Sequence, residues 1–219
     1  MIDVRENCFR ILHRIHAAAV RCGRDPASIR LIAVTKTVPP ERIREAAECG
    51  IRDIGENRLQ EALPKMETLA PLGLTWHFIG HLQTNKARKA AAHFDWIQCI
   101  DRIELVQKLN LAALKPLPVL IEVKLYEEPN KSGVEESGLA ALVEAFTGFE
   151  KLRLLGLMAI PPPSEDPEEA RPYFRKLQVL ARQYGLPELS MGMSHDFEVA
   201  IEEGATMVRI GSALFGDRL

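Results

Sequence analysis

The chain has 219 residues and a formal net charge of -2, with acidic and basic residues interspersed. This length suits one α/β barrel, so we expect a single domain over residues 1–219. The balanced charge gives no indication of nucleic acid binding, and no segment is typical of a membrane span or a signal peptide. The four cysteines form no C-x-x-C pair, which favours reduced thiols in a cytoplasmic protein over a disulfide framework or a metal site.

The predicted elements begin with a long amphipathic helix. Asp3 and Glu6 form a capping-box pattern, and apolar residues then recur at helical spacing as far as Gly23. Eight short β-type runs follow, each succeeded by a helical pattern. The predicted strands are 31–35, 52–55, 75–79, 96–100, 118–125, 153–160, 188–191 and 206–210. The predicted later helices are 41–49, 58–69, 85–93, a helix capped by Asp101 that reaches about residue 114, 135–146, 166–184 and 194–203.

Strict alternation of eight strands with helices predicts a (β/α)8 TIM barrel with an extra N-terminal helix, because parallel neighbouring strands need crossover connections. A doubly wound open sheet is the competing architecture. That fold carries a glycine-rich turn after its first strand, whereas here the first strand runs into Lys-Thr-Val-Pro-Pro, residues 36–40. The barrel is therefore favoured.

Lys36 follows the first strand, at the end of the barrel where active sites of this fold are built. Ile32, Val34 and Lys36 share one face by the two-residue period of a strand. If that face is inward, Lys36 loses hydration and becomes an amine able to condense with an aldehyde. The opposite assignment leaves Lys36 as a solvated surface lysine.

The last two strands end in loops typical of a phosphate site. One loop is Ser190-Met-Gly-Met-Ser194, and the other follows Arg209 as Ile-Gly211-Ser212. Barrels of this kind often bind phosphate in the loops after strands seven and eight. The alternative is that the glycines only form turns and that Ser194 only caps a helix. Arg209 lies in an apolar run, where it would either support the anion or form a structural ion pair.

Three further side chains lie near strand ends. His77 is on the opposite face from Trp76 and Phe78, so it faces the barrel interior if these aromatic residues pack under helices. In that position it would be either a ligand contact or a structural histidine. Asn57 would donate to a ligand oxygen or cap a helix, and Met158 would form an apolar wall. Residues 128–133 form either a salt-bridged loop or a lid. The histidines have no spacing typical of a metal site, and no nucleophile elbow is present.

Taken together, several separated motifs closely resemble the pyridoxal phosphate homeostasis protein family, also called the YggS/PROSC family. The resemblance spans nearly the whole chain, and the ordered combination is far more specific than any one motif. The motifs are Ala33-Val-Thr-Lys36, Gly55-Glu-Asn57, Trp76-His-Phe-Ile-Gly-His-Leu-Gln-Thr-Asn-Lys86, Leu157-Met158, Leu189-Ser-Met-Gly-Met-Ser194 with Asp196, and Val208-Arg-Ile-Gly211 with Phe215-Gly216.

The resemblance implies a barrel like the N-terminal domain of alanine racemase that carries pyridoxal 5′-phosphate (PLP) as an internal aldimine on Lys36. It also implies that Arg209 faces the pyridine nitrogen, which disfavours protonation of that nitrogen and suppresses carbanion chemistry. The remaining implied PLP contacts are the phosphate contacts Ser194, Gly211 and Ser212, and the ring-pocket residues Asn57, His77 and Met158.

The chain departs from the family pattern at one position. Many relatives have Val-Asn where this chain has Val123-Lys124. Lys124 either lies near the pocket mouth, where it would bind cofactor phosphate or take part in transfer, or points outward.

Three functions follow from these observations. The favoured one is a PLP-binding protein of vitamin B6 homeostasis that holds PLP reversibly, needs no catalytic turnover, and passes PLP to apo-enzymes. The runner-up is a PLP-dependent amino-acid racemase. Racemases of that type take a second base, a tyrosine, from an additional β-domain across a dimer interface, and this chain ends after the eighth unit, so we expect a monomeric non-enzyme. The third is a PLP-free Schiff-base aldolase, for which His77 is the only attractive acid/base partner.

Overall fold

The computed structural model describes residues 3–127 and 132–216, and its centre is a closed barrel of eight parallel strands. Each strand pairs with its neighbours around the ring, which closes where Leu31 of the first barrel strand pairs with Val208 of the last. The predicted (β/α)8 barrel is therefore confirmed. The barrel strands are β1 (Arg30–Val34), β2 (Asp53–Glu56), β3 (Thr75–Phe78), β4 (Trp96–Ile100), β5 (Leu117–Lys124), β7 (Leu152–Met158), β8 (Glu188–Ser190) and β9 (Met207–Ile210).

A short strand that the sequence pattern did not predict, β6 (Val134–Glu135), pairs with the end of β5 outside the ring. The helices surround the barrel, and within the described residues none is long and apolar enough to cross a membrane. They are α1 (Val4–Arg21), α2 (Pro40–Glu48), α3 (Leu59–Leu69), α4 (Ala87–His93), α5 (Ile103–Ala112), α6 (Glu136–Ala145), α7 (Arg171–Gln183), α8 (Phe197–Glu202) and α9 (Ser212–Phe215).

The predicted N-terminal helix is present as α1. The Asp3 carboxylate caps it by accepting hydrogen bonds from the backbone N–H of Arg5 at 2.9 Å and of Glu6 at 3.2 Å. Cys8 and Ile11 lie on its buried face, and the helix packs against α2, α8 and α9. The apolar residues that recur at helical spacing in the sequence therefore form the face by which α1 packs against the outer helices of the barrel.

Two predicted helix starts were wrong. The helix after β4 begins after Arg102, because the Asp101 carboxylate pairs with the Arg102 guanidinium and makes no cap. The helix after β8 begins at Phe197, three residues later than predicted. There the backbone N–H groups of Asp196 and Phe197 donate to the Met193 carbonyl oxygen at 3.2 Å and 3.0 Å, so Ser194 does not cap the helix.

The strands separate the core into two layers. Ile32, Leu120, Met158 and Met207 pack together inside the barrel, whereas alternate residues of the same strands pack outward under the helices. The interior is filled at β2, where a side chain on Gly55 would place its Cβ 2.9 Å from Ile32 Cγ2.

Candidate functional site

Lys36 lies two residues beyond the end of β1 and is half-buried. Ile32 belongs to the interior cluster, while the hydroxyl of the buried Thr35 points outward and donates to Glu56 Oε1 at 2.6 Å. Lys36 therefore directly follows a residue whose side chain points outward, at the carboxyl-terminal end of β1.

Helix α3 holds both neighbours of Lys36. Lys65 Nζ donates to the backbone carbonyl of Thr35 at 2.6 Å and to Glu56 Oε1 at 2.7 Å. On the other side, the backbone N–H of Thr37 lies 3.4 Å from Glu61 Oε2. Thr37 has φ +64°, in the left-handed region that threonine rarely adopts. The main chain at Lys36 is therefore fixed from both sides by contacts that sequence reasoning missed.

Asn57 follows β2 and does not cap α3, whose N-cap is Arg58. Its Oδ1 atom is buried and has no hydrogen-bond partner among the described residues. The chain at this point is tightly packed, since a Cβ on Gly80 would lie 2.6 Å from the backbone oxygen of Asn57. A buried amide oxygen without a partner costs free energy, and a donor from a ligand would remove that cost.

Arg209 is only 4% exposed and lies on the barrel interior. Its Nη1 donates to Ser190 Oγ at 2.8 Å and its Nη2 donates to the backbone oxygen of Ala159 at 2.9 Å. Burial lowers the pKa of the Arg209 guanidinium to about 10, and the negative charges of Glu122 and Asp196 oppose that shift. Arg209 therefore remains a cation near neutral pH.

The loops after β8 and β9 meet, as the sequence predicted. Ser194 Oγ accepts the backbone N–H of Gly211 at 3.3 Å and of Ala213 at 3.2 Å. Ser212 is exposed beside them, and a Cβ on Gly211 would lie 3.5 Å from Val34 at the end of β1. This arrangement brings the Ser194 hydroxyl and the turn that begins α9, groups of the kind that bind phosphate, close to the segment that carries Lys36.

His77 lies inside the barrel and is fully buried, while Trp76 and Phe78 pack outward. Its Nε2 lies 2.8 Å from Asp53 Oδ1 and its Nδ1 lies 2.9 Å from Gln98 Nε2. Burial is the main cause of a lowered His77 pKa, which the hydrogen bond to Asp53 opposes. Both ring nitrogens are used by protein groups, so the geometry favours the structural alternative for His77 over a polar ligand contact.

Met158 ends β7 and belongs to the interior cluster, pairing in register with Glu122 on one side and Ser190 on the other. Glu122 is a buried acid that sequence reasoning missed, although a glutamate inside an apolar strand is itself a signal of a special site. Alternation along β5 places Lys124 on the same inward face as Leu120 and Glu122. Lys124 thus lies at the barrel mouth.

Part of the predicted loop or lid at 128–133 falls on residues 128–131, which are outside the described residues. Of the remainder, Ser132 Oγ donates to Glu122 Oε1 at 3.4 Å. Over residues 3–127 and 132–216, no group of three histidine, cysteine or acidic side chains is arranged to hold a metal ion.

Comparison with known proteins identifies the class of protein to which this barrel belongs. Residues 8–219 match the family model described as alanine racemase, N-terminal domain. An alanine racemase from Corynebacterium glutamicum has the same fold, with a TM-score of 0.69 and 20% identity over 96% of this chain and 62% of that chain.

Relatives with higher sequence identity identify the family within this class. The pyridoxal phosphate homeostasis protein of Aquifex aeolicus is 50% identical over 97% of this chain and 97% of its own length. That of Pseudomonas aeruginosa is 48% identical over 100% of this chain and 97% of its own. The structure of PipY from Synechococcus elongatus with PLP bound matches with a TM-score of 0.83 and 37% identity, over 98% of this chain and 100% of that chain. The chain belongs to the pyridoxal phosphate homeostasis protein family.

Proposed function

We propose that this protein binds PLP reversibly, holding the aldehyde as a Schiff base on Lys36, and that it buffers PLP and passes it to apo-enzymes without turnover of its own. The observation that carries the proposal is that the half-buried Lys36 lies two residues beyond the first strand, at the carboxyl-terminal end of a racemase-type barrel. Its strand neighbours β9, which bears Arg209 and leads into Gly211. The PLP found in the related PipY structure supports the choice of ligand.

The residues present fit such a ligand. The buried Asn57 Oδ1, without a partner among the described residues, offers an acceptor to the ring substituents, and Met158 supplies an apolar wall. The Ser194 oxygen accepts the backbone N–H of Gly211 and Ala213, so the Ser194 hydroxyl has its own proton to donate to the phosphate at the turn formed by Gly211 and Ser212. We assign His77 to the support of this pocket from below.

PLP, when bound, supplies a reactive aldehyde and an electron-withdrawing pyridine ring. In the proposal, Arg209 faces the ring nitrogen. A cation at that position disfavours protonation of the nitrogen and so weakens electron withdrawal from the aldehyde carbon. This chain therefore holds the reagent while limiting the chemistry that racemases and decarboxylases perform with it, which supports a homeostasis role over racemisation.

The test is the visible absorption spectrum of the purified protein incubated with PLP, before and after borohydride reduction, with peptide mass mapping of the adduct. We expect a Schiff-base band in the wild type that reduction removes, with the added mass on Lys36. Lys36→Ala is expected to lose the band, and the control Lys89→Ala, which changes an exposed lysine of α4, is expected to keep it.

Two results would overturn the proposal. A wild-type protein that stays colourless with PLP would exclude the Schiff base, and an adduct on Lys124 in place of Lys36 would exclude the assigned lysine. A racemisation assay with L-alanine decides between binding and turnover, because sustained interconversion of the enantiomers would favour the racemase alternative.

A further inference from the structure

We propose that Gln98 is a positioning residue for Arg209, acting through a hydrogen-bond chain that runs down the barrel interior in one direction. The inference rests on the proposed function, in which Arg209 faces the PLP ring nitrogen. The hydrogen-bond chain is proposed to hold the Arg209 guanidinium in that orientation. Gln98 lies in the middle of β4, and its side chain hydrogen-bonds to His77 of β3 and to Ser190 at the end of β8.

The chain has four links. Arg209 Nη1 donates to Ser190 Oγ at 2.8 Å, and Ser190 Oγ donates to Gln98 Oε1 at 2.6 Å. Gln98 Nε2 lies 2.9 Å from His77 Nδ1, and His77 Nε2 lies 2.8 Å from Asp53 Oδ1. These contacts join four strands, β9, β8, β4 and β3, to the start of β2.

The groups at the two ends of the hydrogen-bond chain, the Arg209 guanidinium and the Asp53 carboxylate, determine which atom donates in each hydrogen bond. A guanidinium only donates and an ionised carboxylate only accepts. Ser190 accepts from Arg209, so its single proton goes to Gln98 Oε1, and the amide N–H of Gln98 is left facing His77. His77 must then accept at Nδ1 and carry its proton on Nε2, where it donates to Asp53.

Burial makes this arrangement obligatory. Ser190, Gln98 and His77 are each 0% exposed, so water cannot replace a missing partner. The Asp53 end of the hydrogen-bond chain differs from this buried part. The Asp53 side chain is 20% exposed and lines a cavity of about 550 Å³ at the amino-terminal ends of the strands. Aligned donors between a buried cation and an anion at the far opening strengthen one another.

The consequence concerns Arg209. Its two Nη atoms are anchored to Ser190 Oγ and to the Ala159 carbonyl, and only the Ser190 anchor is a side chain that depends on a further partner. Without Gln98, the Ser190 hydroxyl has no acceptor for its proton and can turn away from its present orientation. The guanidinium then loses its fixed orientation toward the ring nitrogen, although Arg209 itself is unchanged.

The test compares Gln98→Met, Gln98→Glu and Ser190→Ala, with Gln107→Met on the exposed face of α5 as the control. The readouts are PLP affinity and the ¹⁵N resonance of the ring nitrogen in ¹⁵N-labelled PLP. Gln98→Met should shift that resonance and weaken PLP binding about tenfold, the upper range of the loss expected when one neutral hydrogen bond is removed. Gln98→Glu keeps an acceptor for Ser190 but loses the N–H that faces His77 Nδ1, so His77 must supply a proton there, and the resonance should stay closer to the wild-type value than in Gln98→Met.

Coupling is decided by the double variant. If Gln98 acts through Ser190, Gln98→Met combined with Ser190→Ala should shift the resonance no further than either single change does. Additive shifts, or a Gln98→Met protein that loses thermal stability with an unchanged ring-nitrogen resonance, would overturn the positioning role.

A measurement on the PLP-free protein separates this inference from the proposed function. Long-range ¹H–¹⁵N spectra should show His77 as the neutral tautomer protonated at Nε2. A proton on Nδ1 would overturn the direction of the chain whether or not PLP binds. Failure of the wild type to bind PLP, with His77 in the expected tautomer, would overturn the proposed function and the role of Gln98 toward PLP, while leaving the hydrogen-bond chain intact.

Discussion

Lys65 Nζ lies 2.7 Å from Glu56 Oε1 in a nearly water-free position on the outer side of the barrel, directly beneath the segment that carries Lys36. Glu56 is fully buried and Lys65 is 9% exposed. Since Lys65 also binds the Thr35 carbonyl, the ion pair links α3 to the residue that precedes the proposed PLP lysine. The stability of the barrel and the position of Lys36 therefore depend on the same contact.

Removing one partner of this pair should be strongly destabilising. Lys65→Met leaves the Glu56 carboxylate buried and uncompensated, so the free energy of unfolding should fall by about 3 to 5 kcal/mol. Urea unfolding monitored by circular dichroism measures the loss. The double variant Lys65→Met/Glu56→Gln removes the buried charge and should recover most of it; a single variant within about 1 kcal/mol of the wild type contradicts the assignment.

Gly80→Ala tests the packing around Asn57. A Cβ at this position would lie 2.6 Å from the Asn57 carbonyl oxygen and 2.8 Å from its Cα, so the backbone must shift. We expect a loss of about 1 to 3 kcal/mol in unfolding free energy and weaker PLP binding. Gly148→Ala is the matched control, because nothing lies within 4 Å of the Cβ that it adds. Equal effects at the two glycines would argue against the tight contact.

Asn57→Ala should change stability and binding in opposite directions. The change deletes a buried oxygen that has no partner among the described residues, so the PLP-free protein should be as stable as the wild type or more stable by up to about 1 kcal/mol. PLP affinity should fall about tenfold, because the ligand loses its acceptor. Thermal unfolding with and without PLP measures both effects, with the exposed Asn85→Ala as the control. A variant that loses stability and keeps its affinity would show that Asn57 is structural.

The buried His77 predicts an acid-sensitive fold. Its folded-state pKa is lowered, whereas the unfolded chain takes up a proton near pH 6.5. Below that pH the unfolded state binds more protons, so the free energy of unfolding falls as the pH falls, by at most about 1.4 kcal/mol per pH unit from this group. Urea unfolding at pH 7.5 and pH 5.5 measures the slope.

In that experiment His77→Gln should reduce the pH slope, while His13→Gln, on the exposed face of α1, should retain it. An unchanged slope in His77→Gln would show that another group is responsible for the acid sensitivity.

Much of the fold could be predicted from local pattern. The eight strands were placed within about two residues of their positions because apolar runs and helical periods are properties of adjacent residues. The two-residue period predicted that Ile32 and Val34 share a face and left open whether that face is inward, whereas the meeting of the loops after β8 and β9 followed from the barrel architecture. The family motifs added the expected ligand.

The partners of the buried polar groups were decided only in three dimensions. Ser190 and Gln98 are 92 residues apart and meet because the ring closes with a particular stagger between β8 and β4. Ser194, which the sequence offered as a helix cap, instead joins two loops, because the Met193 carbonyl accepts the backbone N–H groups at the start of that helix. The period of the sequence determines which face of a strand a side chain occupies. Strand register and barrel closure determine which side chain it contacts. Because these positions are buried, each polar atom must then find its hydrogen-bond partner there.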